Sequence, residues 1–338
     1  MNKSDIDPKK AKLAATVEIP TTLYSLCYDH QNGQLFGAGT DWTVYGLNVD
    51  NQEAKAQQKW THHENYVSSL VLIGDVVISG SYDRRLIWTN PADGKPLRVI
   101  EAHDGWVRDL AAFPDGKRIV SVGDDMLVKV WTTRTGELAQ TFDGHAKKTP
   151  QGFATALYTV AVSPDGKFIA SGDRIGEVCV WDVEKGKLAN RLKASAFYTF
   201  DPVKRARSIG GIRSLCFSTD GSRLAISGIG QVTNVDGFVG PCRVEVWDWK
   251  AAKKVFTGQH KHKALLNHVV FHDDMLITAG GGDNGGILAF WNQKNEQPIH
   301  IVKPKGHLHR FVVDRKRASL FAAGYNGFQI WRFGDSGS

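Results

Sequence analysis

Trp106-Val107-Arg108-Asp109-Leu110-Ala111-Ala112-Phe113-Pro114-Asp115-Gly116, followed by Val128-Lys129-Val130-Trp131, decides the fold of this chain. The first run alternates polar and apolar residues with period two, which is the pattern of a half-buried strand. Pro114-Asp115-Gly116 then supplies the chemistry of a tight turn, because the backbone must pass through positive φ there. The second run is a short apolar strand that ends in an aromatic residue. Together they describe two strands of one small antiparallel sheet.

The unit recurs along all 338 residues. Aromatics close equivalent strands at Tyr45, Trp88, Trp131, Trp181, Trp247, Trp291 and Trp331, with successive gaps of 43, 43, 50, 66, 44 and 40. Four of the six gaps match a four-stranded propeller blade of about 40–45 residues. Earlier strands recur at Leu157-Tyr158-Thr159-Val160-Ala161-Val162 and Ile212-Arg213-Ser214-Leu215-Cys216-Phe217. Turns follow them at Pro164-Asp165-Gly166 and Thr219-Asp220-Gly221, and Gln31-Asn32-Gly33 stands at the same place near the start. Seven units predict an all-β, seven-bladed β-propeller over residues 13–333.

The repeats resemble the WD40 family over nearly the whole chain. Blade three carries His103, Ser121, Asp125 and Trp131, which match that family's tetrad of His, Ser/Thr, Asp and Trp, and blade two matches through His63, Ser79, Asp83 and Trp88. Trp181-Asp182 and Trp247-Asp248 are the dipeptides that name the family. Blade four departs with Ile175 at the Asp position, blade one with Gly37 and Tyr45, blade five in having no clear His, and blade seven with Ala322 and Asn326. Such tetrads satisfy their own donors and acceptors, so they are read as structural and not as catalytic triads. After Trp331 too little chain remains for an outer strand, whereas Ala14–Ile19 is a strand without a blade. It is expected to complete blade seven and remove an open sheet edge. Residues 1–12 are expected to form a flexible polar tail, and residues 334–338 a second one.

Composition bounds the function. The chain is 42% hydrophobic and 23% charged, with a net charge of +7. That leans toward acidic partners without the footprint of a dedicated nucleic-acid binder. No apolar run is long enough to span a membrane, and Met1-Asn2-Lys3-Ser4-Asp5-Ile6 lacks a secretory h-region, so a cytoplasmic protein is expected. Cys27, Cys179, Cys216 and Cys242 form no CxxC pair and read as small buried hydrophobes. Phosphate-loop, HExxH and GxSxG motifs are missing from the sequence, and Gly280–Gly286 lacks the Lys-Ser/Thr of a nucleotide loop. His260 and His262, with His307 and His309, are weighed as metal ligands, but one His of each pair is assigned to a tetrad or to solvent instead. No cofactor, metal or catalytic residue is expected.

Strand direction places the d-to-a and b-to-c links of every blade on one face. Three insertions fall there: around Lys147–Phe153, Ala194–Ile209 and Gly228–Pro241. Extra loops on one face of a repeat fold often mark its binding face. They carry Phe197, Tyr198, Phe200 and Phe238 beside Lys204, Arg205 and Arg207. Resemblance to G-protein β subunits implies that partner contacts come from the start of strand a and from the residue before the tetrad Asp. Those positions give Tyr24, Arg108, Tyr158, Arg213 and His309, with Tyr66 and Trp106 two residues earlier in their units. The pre-Asp positions add Tyr82, Arg174 and Tyr325. Tyr, Trp and Arg are the residue types of binding hot spots. The expected function is a non-catalytic scaffold, a monomeric propeller within a larger complex, that docks an acidic or aromatic-anchored protein segment at the channel mouth. A nucleic-acid reading uses Phe197, Tyr198, Lys204, Arg205 and Arg207 as a basic-aromatic lid. An enzyme at the mouth is the third possibility.

Overall fold

The computed structural model describes residues 6–51, 55–202, 207–232, 240–282 and 285–334. Seven four-stranded antiparallel sheets follow one another in chain order, and an eighth, two-stranded ribbon lies in the blade-five insertion. Blade three shows the plan: Val107–Ala112 innermost, then Arg118–Gly123, Val128–Thr132, and Leu138–Phe142 outermost. Inner strands are covered on both faces by neighbouring blades, so Ile119, Val120, Ser121 and Val122 are all buried although only three are apolar. Outer strands such as Pro96–Glu101 have one wet face and alternate accordingly.

The core is not one mass but seven seams. Each apolar cluster joins two successive blades. Val120, Val128 and Val130 of blade three meet Val160, Ile169 and Trp181 of blade four. Leu308, Phe311 and Leu320 of blade seven meet Ile277, Leu288 and Phe290 of blade six. The last seam, Leu23 and Leu35 against Phe321 and Phe328, joins blade seven to blade one. Burial of this kind stabilises by roughly 25 cal/mol per Å² of apolar surface, and it is complete only when the ring is closed.

Closure is made by Lys12–Glu18, which pairs antiparallel with Gly327–Arg332 from Lys12 opposite Arg332 to Glu18 opposite Gly327. This is the strand expected to complete blade seven. The tail expected over residues 1–12 is corrected in its second half. Ile6 is only 2% exposed and packs in the blade six–seven seam beside Phe290 and Phe333, and Pro8–Lys10 forms a 3-10 turn capped by Asp7. One apolar residue in a polar run was enough to pin the segment. Residues 1–5 and 335–338 lie outside the described residues. Among the described residues, no helix is long and apolar enough to cross a membrane.

A second device ties the blades together near the axis. Every inner strand carries a β-bulge at its start, between Leu23 and Ser25, Val67 and Ser69, Val107 and Asp109, Leu157 and Thr159, Ile212 and Ser214, Leu266 and His268, and Leu308 and Arg310. The residue after the bulge bonds to another blade, in five cases through the backbone N–H of the next inner strand. Ser25 Oγ accepts from Leu70 N at 2.9 Å, Ser69 Oγ from Leu110 N at 3.1 Å, and Ser214 Oγ from Val269 N at 3.2 Å. His268 Nδ1 accepts from Phe311 N at 3.3 Å. Asp109 does most. Its carboxylate accepts from Ser69 Oγ, Thr159 Oγ1, Val160 N and, across the channel, Arg310 Nη2, each at 3.0–3.1 Å. One buried group thus holds blades two, three, four and seven.

Removing a buried carboxylate strands its charged and hydroxyl partners. Asp109→Ala is therefore expected to lower unfolding stability by about 3–5 kcal/mol, read as a fall in the urea midpoint. A change below 1 kcal/mol would show that the belt is ornamental.

Candidate functional site

The bulge also aims side chains. An extra residue opposite none bends the strand and turns that residue out of the pleat. The seven bulged residues are Tyr24, Ser68, Arg108, Tyr158, Arg213, Asn267 and His309. A regular backbone bond places the second ring of residues. Thr40, Tyr82, Asp124, Arg174 and Tyr325 each donate their N–H to the carbonyl two residues before the bulge, at 2.8–3.1 Å.

These side chains touch in sequence around the mouth. The His309 ring meets Tyr24 edge-on at 5.0 Å, Tyr24 meets Tyr66 at 6.1 Å, and Tyr66 meets Tyr82 at 5.8 Å. Tyr82 and Trp106 stack at 4.4 Å with planes 5° apart. The Arg108 guanidinium lies 4.7 Å from the Trp106 ring centre, 4.9 Å from Tyr82 and 5.4 Å from Tyr158, and Arg213 lies 4.4 Å from Tyr158. Eight of the ten residues expected at the mouth thus form one connected arc. Arg174 sits beside it, donating to Ser208 O at 3.2 Å. Tyr325 stands apart and strongly exposed, with no ring contact to the arc.

Glycines make the cationic side of the arc possible. Gly210 and Gly211 have φ of +134° and +108°. A Cβ on Gly211 would lie 2.6 Å from the Tyr158 ring, and one on Gly210 would lie 2.0 Å from Phe197 O. Only a residue without a side chain lets the insertion pass so close over Tyr158.

The two ends of the arc differ in charge. Arg108 gives Nε and Nη2 to the two oxygens of Asp124, at 2.6 and 3.0 Å, and Nη1 to the Tyr82 hydroxyl at 3.0 Å. Burial works most strongly against its charge, but Asp124 together with Tyr82 and Tyr158 outweighs it and raises the pKa. For Arg213 burial wins. Tyr158 favours its charge, Arg108 opposes it, and its pKa falls below the ordinary value. Burial, with His307 and Arg213 nearby, pulls His309 down to about 4. The mouth therefore has an aromatic side over blades one to three and a cationic side over blades four and five.

The three insertions meet on this face. The Tyr198 hydroxyl donates to Gln151 Oε1 at 2.6 Å, Val232 N donates to Thr199 Oγ1 at 2.9 Å, and Phe153 lies 6.4 Å from Phe200. Ile209, Ile229 and Val232 add a small apolar core beside Leu265. Phe197 corrects the lid reading: it is fully buried in the blade four–five seam with Ile212 and Leu215, and offers no face to a base. Lys204, Arg205 and Phe238 lie outside the described residues, and Arg207 is placed by its backbone alone, in the strand Arg207–Gly210.

The tetrads show which groups are structural. His103 Nδ1 meets Asp125 at 2.9 Å and Nε2 meets Ser121 Oγ at 2.7 Å, while Trp131 Nε1 donates to Ser121 Oγ at 2.8 Å. Burial alone would raise the Asp125 carboxyl, but the His103 ring and the N–H groups of Leu127 and Asp104 hold it below the usual range. Blade two keeps His63–Asp83 and His63–Ser79, both 2.8 Å. Trp88 departs from the expected tetrad and donates to Thr133 O at 2.9 Å. Ser79 and Trp88 pair with adjacent positions of the facing strand, not with positions two apart as in blade three, so the indole points to the other face.

Blade four has a tetrad that the sequence hid. His145 meets Asp173 at 3.0 Å and Ser171 at 2.8 Å, and Trp181 donates to Ser171 at 2.9 Å. The acid stands two residues before Ile175, where it was sought. In blade five, buried Glu245 takes over, accepting from Trp247 Nε1, Arg243 and Lys254. His145, Glu177 and Cys179 have metal-ligand spacing. Both ring nitrogens of His145 are already engaged, and burial pushes the Cys179 thiol up to about 12. This cluster reads as tetrad core.

A family profile described as "WD domain, G-beta repeat" matches residues 94–132 and 136–182, which are blades three and four. The chain belongs to the WD40-repeat family. Its WD40 relatives include the "Small ribosomal subunit protein RACK1y" of Oryza sativa subsp. japonica, 36% identical over 35% of this chain and 29% of that protein. "Autophagy-related protein 16" of Arabidopsis thaliana is 27% identical over 40% of this chain and 28% of its own length. "WD repeat-containing protein SL1-17" of Schistosoma mansoni is 26% identical over 63% and 60%. The matches thus span less than two thirds of each relative.

The lowered pKa of His309 fixes a sign. Its ring stays neutral in the fold while the unfolded chain gains a proton below pH 6.5. The stability it supports is complete above pH 6.5 and is lost as pH falls toward about 4. In this window His309→Gln is expected to reduce the pH dependence of unfolding stability by up to one proton. An unchanged slope by urea titration at pH 4.5, 5.5 and 6.5 would contradict the buried placement.

Proposed function

We propose that this WD40 propeller is a protein-interaction scaffold that grips an extended partner segment at the channel mouth. The observation that carries the reading is the arc from His309 to Arg213. It is a continuous aromatic and guanidinium surface in which five of the eight residues stand on bulges, with the three insertions walling its cationic side. Trp106 and Tyr66 stand 44% and 38% exposed within it, an unusual cost for large apolar rings unless they are covered by a partner. The match to WD40-repeat proteins supports the same general role. In this reading the partner brings an acidic or aromatic anchor, and the propeller serves as one rigid member of a larger assembly.

The nucleic-acid alternative is weaker on the geometry. Phe197 is buried and removed as a stacking group, so the lid lacks one of its expected contacts. Catalysis at the mouth is not favoured either. Asp124, the carboxylate placed there, is clamped by Arg108 and has no role open as a base.

Affinity capture of partners with wild-type and Trp106→Ala protein tests this function. The exposed indole supports little of the fold, so the melting temperature should hold within about 2 °C while capture falls at least tenfold, the size of a hot-spot loss near 2 kcal/mol. Equal capture by both proteins would refute docking at the mouth.

A further inference from the structure

Two arginines face the mouth from bulged positions of blades three and five, and they are not equivalent. Arg108 has a carboxylate on its Nε–Nη2 edge, supplied by Asp124 of its own blade. Fork-to-fork pairing of this kind is the strongest way for a guanidinium to hold a carboxylate. Arg213 has no ion pair among the described residues. Its Nη2 makes one long bond, 3.4 Å, to Gly210 O, and its Nε is buried without a hydrogen-bond partner. An unpaired buried donor costs about 1–3 kcal/mol, more for a charged group.

The surroundings of Arg213 do not neutralise it. Arg174 and Arg108 both repel its charge, and the Tyr158 ring beneath it contributes only a π face and a hydroxyl. Arg174 itself is bound by a neutral carbonyl, Ser208 O. His309, on the far side, stays uncharged near neutral pH and adds no counter-charge. The cationic side of the mouth therefore carries two guanidiniums without a carboxylate among the described residues. That charge lies over a wall shaped by Gly210 and Gly211.

We propose that Arg213, flanked by Arg174 and Tyr158, is a carboxylate subsite: an Asp or Glu side chain of a bound segment takes on Arg213 the place that Asp124 takes on Arg108. This rests on the docking function above and names the chemistry of one of its anchors. Releasing the long contact to Gly210 lets the guanidinium swing its Nε edge toward the mouth. The incoming carboxylate then pairs with Nε and Nη2, and one Nη of Arg174 is left to share the second oxygen. A planar, bidentate donor edge suits a carboxylate better than a tetrahedral phosphate, which needs donors on several sides. An aromatic residue a few positions away in the same segment would lie on Trp106, so the sidedness of the mouth also fixes the direction in which the segment runs.

The test uses the full chain and small anions. Arginine Nε–Hε signals are followed by nitrogen-15 NMR, with the Arg213 signal identified by its loss in Arg213→Lys, or in Arg213→Gln if the lysine variant does not fold. Sodium acetate and then sodium phosphate replace sodium chloride at constant ionic strength. The expected result is a saturable shift of the Arg213 signal that acetate produces at lower concentration than phosphate, with the Arg108 signal unmoved. An Arg213 signal that follows no anion beyond chloride, or that phosphate saturates first, overturns the assignment. Failure here is separable from failure of the docking function: capture that survives Arg213→Lys but not Trp106→Ala removes only this subsite, whereas capture that survives both removes the docking surface as well.

Discussion

One extra residue at the start of each inner strand sets the character of this molecule. A regular ladder would send alternate side chains into the two seams beside a blade and leave the axis lined by backbone. The bulge breaks that alternation once per blade. The bulged residue is turned out to the channel mouth, and the next one is turned sideways into the neighbouring blade. Binding chemistry and ring cohesion therefore come from consecutive residues: Arg108 and Asp109, Tyr158 and Thr159, Arg213 and Ser214. The rim is rigid because its immediate neighbours are hydrogen-bonded across the seams.

That coupling explains why the mouth can hold a charged and aromatic surface without collapsing. Asp109 gathers donors from three other blades, and Arg310 crosses the channel to reach it, so the inner strands cannot spread to relieve repulsion among Arg108, Arg174 and Arg213. A surface preorganised in this way loses little conformational entropy on binding. The insertions from blades four and five add a wall on the cationic side only. They are held to one another by Tyr198 to Gln151 and Val232 to Thr199. The result is a mouth with two chemically different halves, which is the simplest basis for selecting one orientation of a bound chain.

Much of this was legible in the sequence, because a repeat writes its fold many times over. The seven terminal aromatics pointed to the blade count, and the unpaired strand read at Ala14–Ile19, which the structure extends over Lys12–Glu18, pointed to the closure. The rim positions were legible through resemblance, although the bulge that makes them special leaves no mark in a single unit. Misreadings came where one residue opposed its local setting. Ile6 lies in a polar run yet fills a seam. Phe197 lies among basic residues in a long loop, but its ribbon folds back and buries it with Ile212. Asp173 was missed because the acid moved two places along the blade-four turn while His145 could still reach it. Trp88 carried a readable signal: it stands nine residues after Ser79, where Trp131 and Trp181 stand ten after Ser121 and Ser171, and one residue of slip turns an indole to the opposite face. Trp42, 42% exposed with φ of +69°, is a further exposed aromatic on the loop-rich face that period and spacing did not bring out.

The central claim is that the bulge-built mouth, and not the outer rim of the disc, meets other macromolecules. A photoreactive phenylalanine analogue placed at Tyr66 in the mouth or at Leu188 on the outer strand of blade four compares two sites of nearly equal exposure, 38% and 37%. Under irradiation in cell extract, discrete covalent adducts are expected from position 66 and background labelling from position 188. Adducts of equal or greater intensity from position 188 would contradict it.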